Sequence, residues 1–285
     1  MVTLGLIGVG RWGTNILRTL EGMRDVKVVV NPDSDDIDGV IIATPGSTHA
    51  EIALPFIKIG MPTFIEKPMT TNLKDAEQIK KAAKNIVMVG HVHLYNPAFL
   101  KAKELIKKKI GKIRLLRFEG RNDGPIRDDM SVLWDWGPHG ISMILNALGE
   151  APTHAQAWGY LGLRPGTKLY DAVEARLLFP GNVEGTLAVS WLSPEKRVKL
   201  TVIGSKASVI FDDAAVNKVA LYRKGEFTHP SYDKQPPLKL ELEAFIKAIK
   251  TKKQPLTDVN NGLKVVKILA AAEKSIALDG KKILM

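Results

Sequence analysis

The chain has 285 residues, 45% hydrophobic and 25% charged, which excludes a disordered chain and suits two domains at roughly 100–200 residues each. It has no cysteine, which excludes disulfides and thiolate chemistry, and no apolar run near the ~18 residues that a membrane span needs. The formal net charge is +11, with lysines clustered at Lys80-Lys81, Lys107-Lys108-Lys109, Lys252-Lys253 and Lys281-Lys282. These clusters read first as solvated helix ends, where cations suit the negative pole of the dipole. A field that draws in an anionic cofactor or substrate is the alternative. Nucleic acid is not an expected partner, because no aromatic residues interleave the lysines. Met1 leads into an apolar strand pattern with no charged n-region, so no signal peptide is expected and the cytoplasm is the expected compartment.

In chain order, residues 2–8 form an apolar strand that ends in glycine, and a helix follows over residues 12–22. Further strands are expected at 25–30, 39–43, 63–65 and 86–89, with helices at 49–59 and 73–83, the latter capped by Asn72. The run Gly39–Ala43 does not alternate, as suits a strand buried on both faces. Strands alternating with helices predict a parallel sheet covered on both sides. The pattern then changes. Asn96 and Pro97 open a helix to about Lys109, a strand covers 112–120, and an apolar helix covers 135–148. From Ala151 to Tyr222 strand runs are punctuated by turn signals, which predicts a mostly antiparallel sheet. Helices over 238–251 and 261–278 close the chain. The predicted division is a Rossmann domain over 1–94 and an α+β domain over 95–285, with an open, mostly antiparallel sheet.

Gly8-Val9-Gly10-Arg11-Trp12-Gly13 fits G-x-G-x-x-G. The first glycine permits the tight turn, the second admits a pyrophosphate to the backbone, and the third lets helix and strand approach. The string follows a strand and opens a helix, the context in which it binds a dinucleotide on the free N–H groups of a helix N-terminus. The ribose reader is less defined. Asn31 and Asp33 lie near the expected position, and Asp33 is as well explained as a turn residue beside Pro32. Arg11 could face a 2′-phosphate or solvent. NAD and NADP both remain open.

Two further motifs follow strand ends, where open α/β sheets bind ligands: Ala43-Thr44-Pro45-Gly46-Ser47-Thr48-His49 and Glu66-Lys67-Pro68. The order of motifs resembles the Gfo/Idh/MocA family of oxidoreductases. The pieces are GVGRWG at 8–13, IIATPGSTH at 41–49, EKP at 66–68, YNPAF at 95–99 and DWGPH at 135–139, with LELEAFIKAI and GLKVVKILAAAEKS in the closing helices. The resemblance implies that NAD or NADP spans Gly8, Gly10, Arg11, Trp12, Gly13, Asn31, Ala43, Thr44, Pro45, His49, Glu66 and Lys67. It implies that Lys67 and His139 flank the reacting hydroxyl, with Asp135 near His139, and that the second domain makes homo-oligomer contacts, in a dimer or tetramer. It also implies a sugar, cyclitol or nucleotide-sugar substrate, and the stretch Trp134–Leu148 is similar to the branch acting at C3 of nucleotide-linked amino sugars, such as UDP-N-acetylglucosaminuronate 3-dehydrogenases. Two features depart from the family. Between Val30 and Asp38 the usual helix and strand are replaced by a short turn, which opens the adenine side. Ser142 stands where many members carry an acid.

The residues support that chemistry on their own terms. Oxidising a secondary alcohol needs a base and a hydride acceptor. A histidine suits the proton, and a lysine ammonium stabilises a developing alkoxide. Asp135 and His139 are four apart, so on a helix they share a face and the carboxylate can orient the imidazole. The plainer reading is that Asp135 caps the helix that Pro138 enters in its first turn, and that His139 is a satisfied buried histidine. Tyr95 and Asn96 are candidate substrate contacts, with capping an equal reading for Asn96. Arg121 and Arg127 are candidate anion contacts. His91 and His93 form no metal motif, since strand alternation would send them to opposite faces. The expected activity is hydride transfer between nicotinamide and a CH–OH carbon. The alternatives are a non-catalytic Rossmann-scaffold protein and a lyase or glycosidase that oxidises transiently.

Overall fold

The computed structural model describes residues 1–32, 36–164, 166–167 and 169–285. They fall into two compact units, Met1–Tyr95 with Gln235–Val266, and Asn96–Lys234 with Lys267–Met285. The linear division read from the sequence places 235–266 in the second domain, whereas its contacts group it with the first.

In the first unit, β1 (Val2–Ile7), β2 (Val26–Val30), β3 (Gly39–Ile42), β4 (Thr63–Glu66) and β5 (Val87–Gly90) form a parallel sheet in the order β2-β1-β3-β4-β5. Its helices are α1 (Arg11–Glu21), α2 (His49–Lys58) and α3 (Leu73–Ala82). The side chain of Asn72 caps α3 by accepting from the Asp75 N–H, as its sequence position predicts. Every residue of β3, β4 and β5 is buried, which is why these runs do not alternate. On one face Leu4, Leu6, Ile41 and Phe64 meet Ile16 and Leu20 of α1. The helix α6 (Pro237–Thr251) adds Leu242, Phe245 and Ile246 to the same cluster. Phe64 and Phe245 meet edge to face at 5.7 Å, a geometry worth about 0.5–1.5 kcal/mol beyond burial.

The connection from β2 to β3 carries the departure seen in the sequence. The two strands flank β1, and only the eight residues 31–38 lie between them. Gly5 makes this path available: a Cβ there would stand 2.4 Å from Pro32 Cγ and 2.9 Å from Ile37 Cδ1. Asp38 fastens the far end. Its N–H donates to the Thr3 carbonyl and its carboxylate accepts from the Thr3 N–H, each at 2.8 Å. Asp33 lies outside the described residues.

The second unit holds α4 (Pro97–Lys109), β6 (Ile113–Asp123), α5 (Val132–Leu148), β7 (His154–Tyr160), β8 (Ala172–Phe179), β9 (Val183–Ser190), β10 (Leu192–Gly204), β11 (Ser208–Asp212), β12 (Val219–Arg223), β13 (Glu226–Thr228) and β14 (Ile283–Leu284). The strands make a nine-stranded sheet in the order β13-β12-β11-β10-β6-β9-β8-β7-β14. The pairings are antiparallel except for β6 with β9. The two edge strands, absent from the sequence reading, are the shortest, which suits edges that must not recruit another chain. The last helix, α7 (Val259–Ala277), is divided between the units. Among the described residues no helix is long and apolar enough to cross a membrane, and no group of three His, Asp or Glu residues could hold a metal.

Candidate active site

The turn from β1 into α1 separates its three glycines by cause. Gly8 has φ +92, and a Cβ on it would stand 2.7 Å from the Ala43 carbonyl carbon. A Cβ on Gly13 would stand 1.9 Å from the Gly8 oxygen. Both are therefore required by the protein's own backbone. A Cβ on Gly10 would meet nothing within 4 Å. No internal contact explains that glycine, and open space over it fits a ligand's approach. Gly10 caps α1 with no side-chain acceptor, so the N–H groups of the first turn still point outward. These features fit a pyrophosphate. Arg11 and Trp12 are exposed beside it, and Asn31, with φ +48, is exposed at the end of β2.

One hydrogen bond joins this loop to the end of β4, and a second braces its acceptor. The Trp12 indole donates to Glu66 Oε1 at 2.6 Å, and the Lys67 N–H donates to Glu66 Oε2 at 3.0 Å. Burial pushes the Glu66 carboxyl up to about 7, against the pull of Trp12 and Lys67. His49, only 1% exposed, spans the other two motifs: Nδ1 lies 2.8 Å from the Pro68 oxygen and Nε2 lies 2.9 Å from the Thr44 oxygen. Ala43 continues the ladder by donating its N–H to the Ile7 carbonyl, and Pro45 is exposed ahead of the short 3₁₀ turn Gly46–Thr48. The segments 8–13, 43–49 and 66–68 thus form one bonded rim at the carboxyl ends of β1, β3 and β4. Lys67 is half-buried on that rim.

His91 and His93 are both buried. Residues 92–95 form a 3₁₀ turn, so the alternation expected of a strand does not apply to the two histidines. Burial pushes His91 down to about 3, so it is a neutral imidazole, and neither ring nitrogen has a hydrogen-bond partner. The Tyr95 hydroxyl lies 3.1 Å from the Thr257 hydroxyl, and burial pushes it up to about 12.

In the second unit, α5 begins at Val132 with Ser131 at its N-cap, so Asp135 is inside the helix and is not its cap. Pro138 sits in the helix interior rather than in its first turn. Asp135 and His139 therefore share a helical face. The Asp135 carboxylate accepts from the Trp191 indole at 3.2 Å and pairs with Arg127 Nε at 3.3 Å. The Arg164 guanidinium lies 5.3 Å from the Trp191 ring centroid, pairs with fully buried Asp171 at 3.2 Å, and donates to the Arg127 carbonyl. Trp191, Arg164 and Asp171 were not singled out in the sequence. They lock the residues around Asp135. Ser142 donates to the His139 carbonyl at 3.0 Å, a bond within the helix. Asn96 uses its whole amide: Oδ1 accepts from the Ala98 N–H and Nδ2 donates to Asp213, each at 2.9 Å. Arg121 lies on the sheet within 3.4 Å of Glu119 and 3.6 Å of Glu195.

The model of an oxidoreductase family with an NAD-binding Rossmann fold matches residues 19–91, and that of the GFO/IDH/MocA C-terminal domain matches residues 99–210. The chain belongs to the Gfo/Idh/MocA family. It is an NAD-binding oxidoreductase. The family match starts after Gly13, so the glycine loop is independent support for the cofactor. Among members of the family, the chain is 25% identical to the scyllo-inositol 2-dehydrogenase (NAD(+)) of Bacillus subtilis (strain 168), over 89% of this chain and 76% of that one. It is 25% identical to the UDP-N-acetylglucosamine 3-dehydrogenase of Acidithiobacillus ferrooxidans, over 95% and 89%. A crystal structure from Magnetospirillum magnetotacticum MS-1, described only as an oxidoreductase, superposes with a TM-score of 0.84 at 31% identity, over 95% of this chain and 99% of that one. The fold of an inositol dehydrogenase homologue from Azotobacter vinelandii, solved with NADH and myo-inositol, matches with a TM-score of 0.86 at 17% identity, over 100% and 97%.

Proposed function

We propose that this oxidoreductase acts on a CH–OH carbon of a sugar, cyclitol or nucleotide sugar. The observation that carries the reading is the rim of the parallel sheet, where Gly10 faces open space and Trp12, Glu66 and His49 bind three family motifs into one surface. Relatives named for inositol and for UDP-N-acetylglucosamine support the substrate class. Nicotinamide, when bound, supplies the acceptor for the hydride that leaves the carbinol carbon. His139 takes the hydroxyl proton, with Asp135 fixing the helix face on which it stands. The Lys67 ammonium stabilises the developing alkoxide. Arg127, half exposed beside Asp135, is the better anion contact. Arg121 is engaged by two carboxylates and Asn96 by its cap and Asp213, which leaves Tyr95 and these two as weaker substrate candidates. The substrate is anionic, a uronate or nucleotide sugar, as the +11 charge supports. The protein works in the cytoplasm as a homo-oligomer. The face of the nine-stranded sheet that carries Trp158 and Tyr160, each half exposed, is the surface for the second copy.

A second reading, a scaffold that binds without turnover, is favoured by the short crossing at 31–38. One experiment separates them. Purified protein is mixed with NAD or NADP and a panel of inositols, neutral sugars, uronates and UDP-sugars, and absorbance is followed near ~340 nm, where only a redox site reports. The expected result is reduction with an acidic member of the panel, and an NAD-to-NADP ratio of dissociation constants below about a hundredfold, because only eight residues separate β2 from β3. NADH binding with no absorbance change across the panel would establish the scaffold reading instead.

A further inference from the structure

The helix α6 presents Leu238, Leu242, Phe245, Ile246 and Ile249 at helical spacing, and they pack on the parallel sheet. Glu241 stands three residues after Leu238 and four before Phe245, on that same apolar face. It is 0% exposed, and neither of its carboxyl oxygens has a hydrogen-bond partner. Its charged neighbour across the core is Glu66. The two acids are treated very differently. Glu66 has an N–H donor on each oxygen and the Lys67 ammonium nearby, and its carboxyl fills the space that a Cβ on Gly90 would occupy, at 2.9–3.0 Å. Glu241 has no donor at all. A buried carboxylate without donors is the costlier place for charge, so the charge goes to Glu66 and the proton to Glu241.

We propose that Glu241 is a positioning residue for the cofactor rim: it forms with Glu66 a carboxyl pair that holds one proton, and the neutral Glu241 keeps the Glu66 carboxylate turned to the Trp12 indole and the Lys67 main chain. The proposal rests on the cofactor reading of that rim. Burial, and then the charge of Glu66, raises Glu241 well above the usual carboxylate range, which agrees with a retained proton. The groups facing the pair are Lys67 at the end of β4 and Tyr95 in the turn 92–95, with Asp258 beside Tyr95 and with His91 and His93 near Lys67. The helix α1 faces it with Ile16 and Leu20. When the pair loses its proton, the new charge appears inside the core, and Glu66 is pushed off its two donors. Both acids titrate higher folded than unfolded. The stability they contribute is therefore complete below the ordinary carboxylate range, is lost as pH rises from there through about 7 for Glu66, and is lost further as Glu241 gives up its proton.

The test compares the wild type with Glu241→Gln, which keeps the shape without the proton, and with Glu241→Met should the amide fold poorly. NADH dissociation constants, read by fluorescence, and the Tm of the ligand-free protein are measured from about pH 6 to about pH 9.5, a range that begins below the value of about 7 to which burial raises Glu66. Near pH 6 the Gln variant should bind NADH within about twofold of wild type. Toward pH 9.5 the wild type should weaken by about tenfold or more and lose Tm, while the variant changes by less than about threefold. Superimposable pH profiles would overturn the proposal, as would an equal offset at every pH, which is what a packing role alone gives. Wild type that binds no NADH at any pH would overturn the cofactor reading instead, and the Tm profiles would still decide whether the pair holds a proton.

Discussion

Replacing His139 by asparagine should lower turnover by about 10²–10⁴-fold while leaving NADH affinity within about twofold of wild type. Asparagine keeps a polar side chain of similar reach, and it cannot accept the hydroxyl proton. The residue stands in the second turn of α5 on the face it shares with Asp135. Asp135 is itself fixed by the Trp191 indole and Arg127, so the substitution removes the proton acceptor without loosening the element that carries it. Lys67→Ala should cost a similar order, because a cation aimed at an alkoxide in a dry site is worth several kcal/mol. Steady-state rates on the substrate found near ~340 nm give the measurement. Unchanged kcat in the asparagine variant would place the base elsewhere.

Gly10→Val and Gly13→Val should fail in opposite ways. Valine at Gly10 fills space that the protein leaves open, so Tm should hold while the NADH dissociation constant rises by more than about a hundredfold, or ~2.7 kcal/mol. Valine at Gly13 brings a Cβ to 1.9 Å from the Gly8 oxygen, an overlap that only backbone movement relieves. Overpacking of this kind costs about 3 kcal/mol or more of folding stability, read by denaturant unfolding. A Gly10 variant that binds NADH normally would remove the pyrophosphate from this loop.

The glycine loop was legible because main-chain geometry constrains residue type directly, as the close approaches at Gly8 and Gly13 show. The caps at Asn72 and Asn96 were legible for the same reason. The start of α5 was misread because Pro138 looked like a first-turn proline. Ser131, a residue of N-cap type followed by Val132 and Leu133, was the better signal. The strands β13 and β14 are too short to show a period. Long-range partners were out of reach in principle. Nothing near Trp12 announces Glu66, and nothing near Asp135 announces Trp191. Glu241 was hidden by its charge, since a carboxyl on an apolar helical face reads as an error in the pattern. Its spacing from Leu238 and Phe245 nonetheless marked it as inward.

The crossing at residues 31–38 also bears on how the chain reaches its fold. Loop-closure entropy grows with the logarithm of length, so a short tether makes the juxtaposition of β2 and β3 beside β1 inexpensive. The first forty-two residues can therefore align three parallel strands through mostly local contacts, in a topology whose pairings are usually slow to find. Helix α6 must instead come back from beyond residue 236 to cover the same hydrophobic face. The glycine turn thus lies in the part of its unit closed by short-range contacts, and the helix that carries Glu241 closes it from far along the chain.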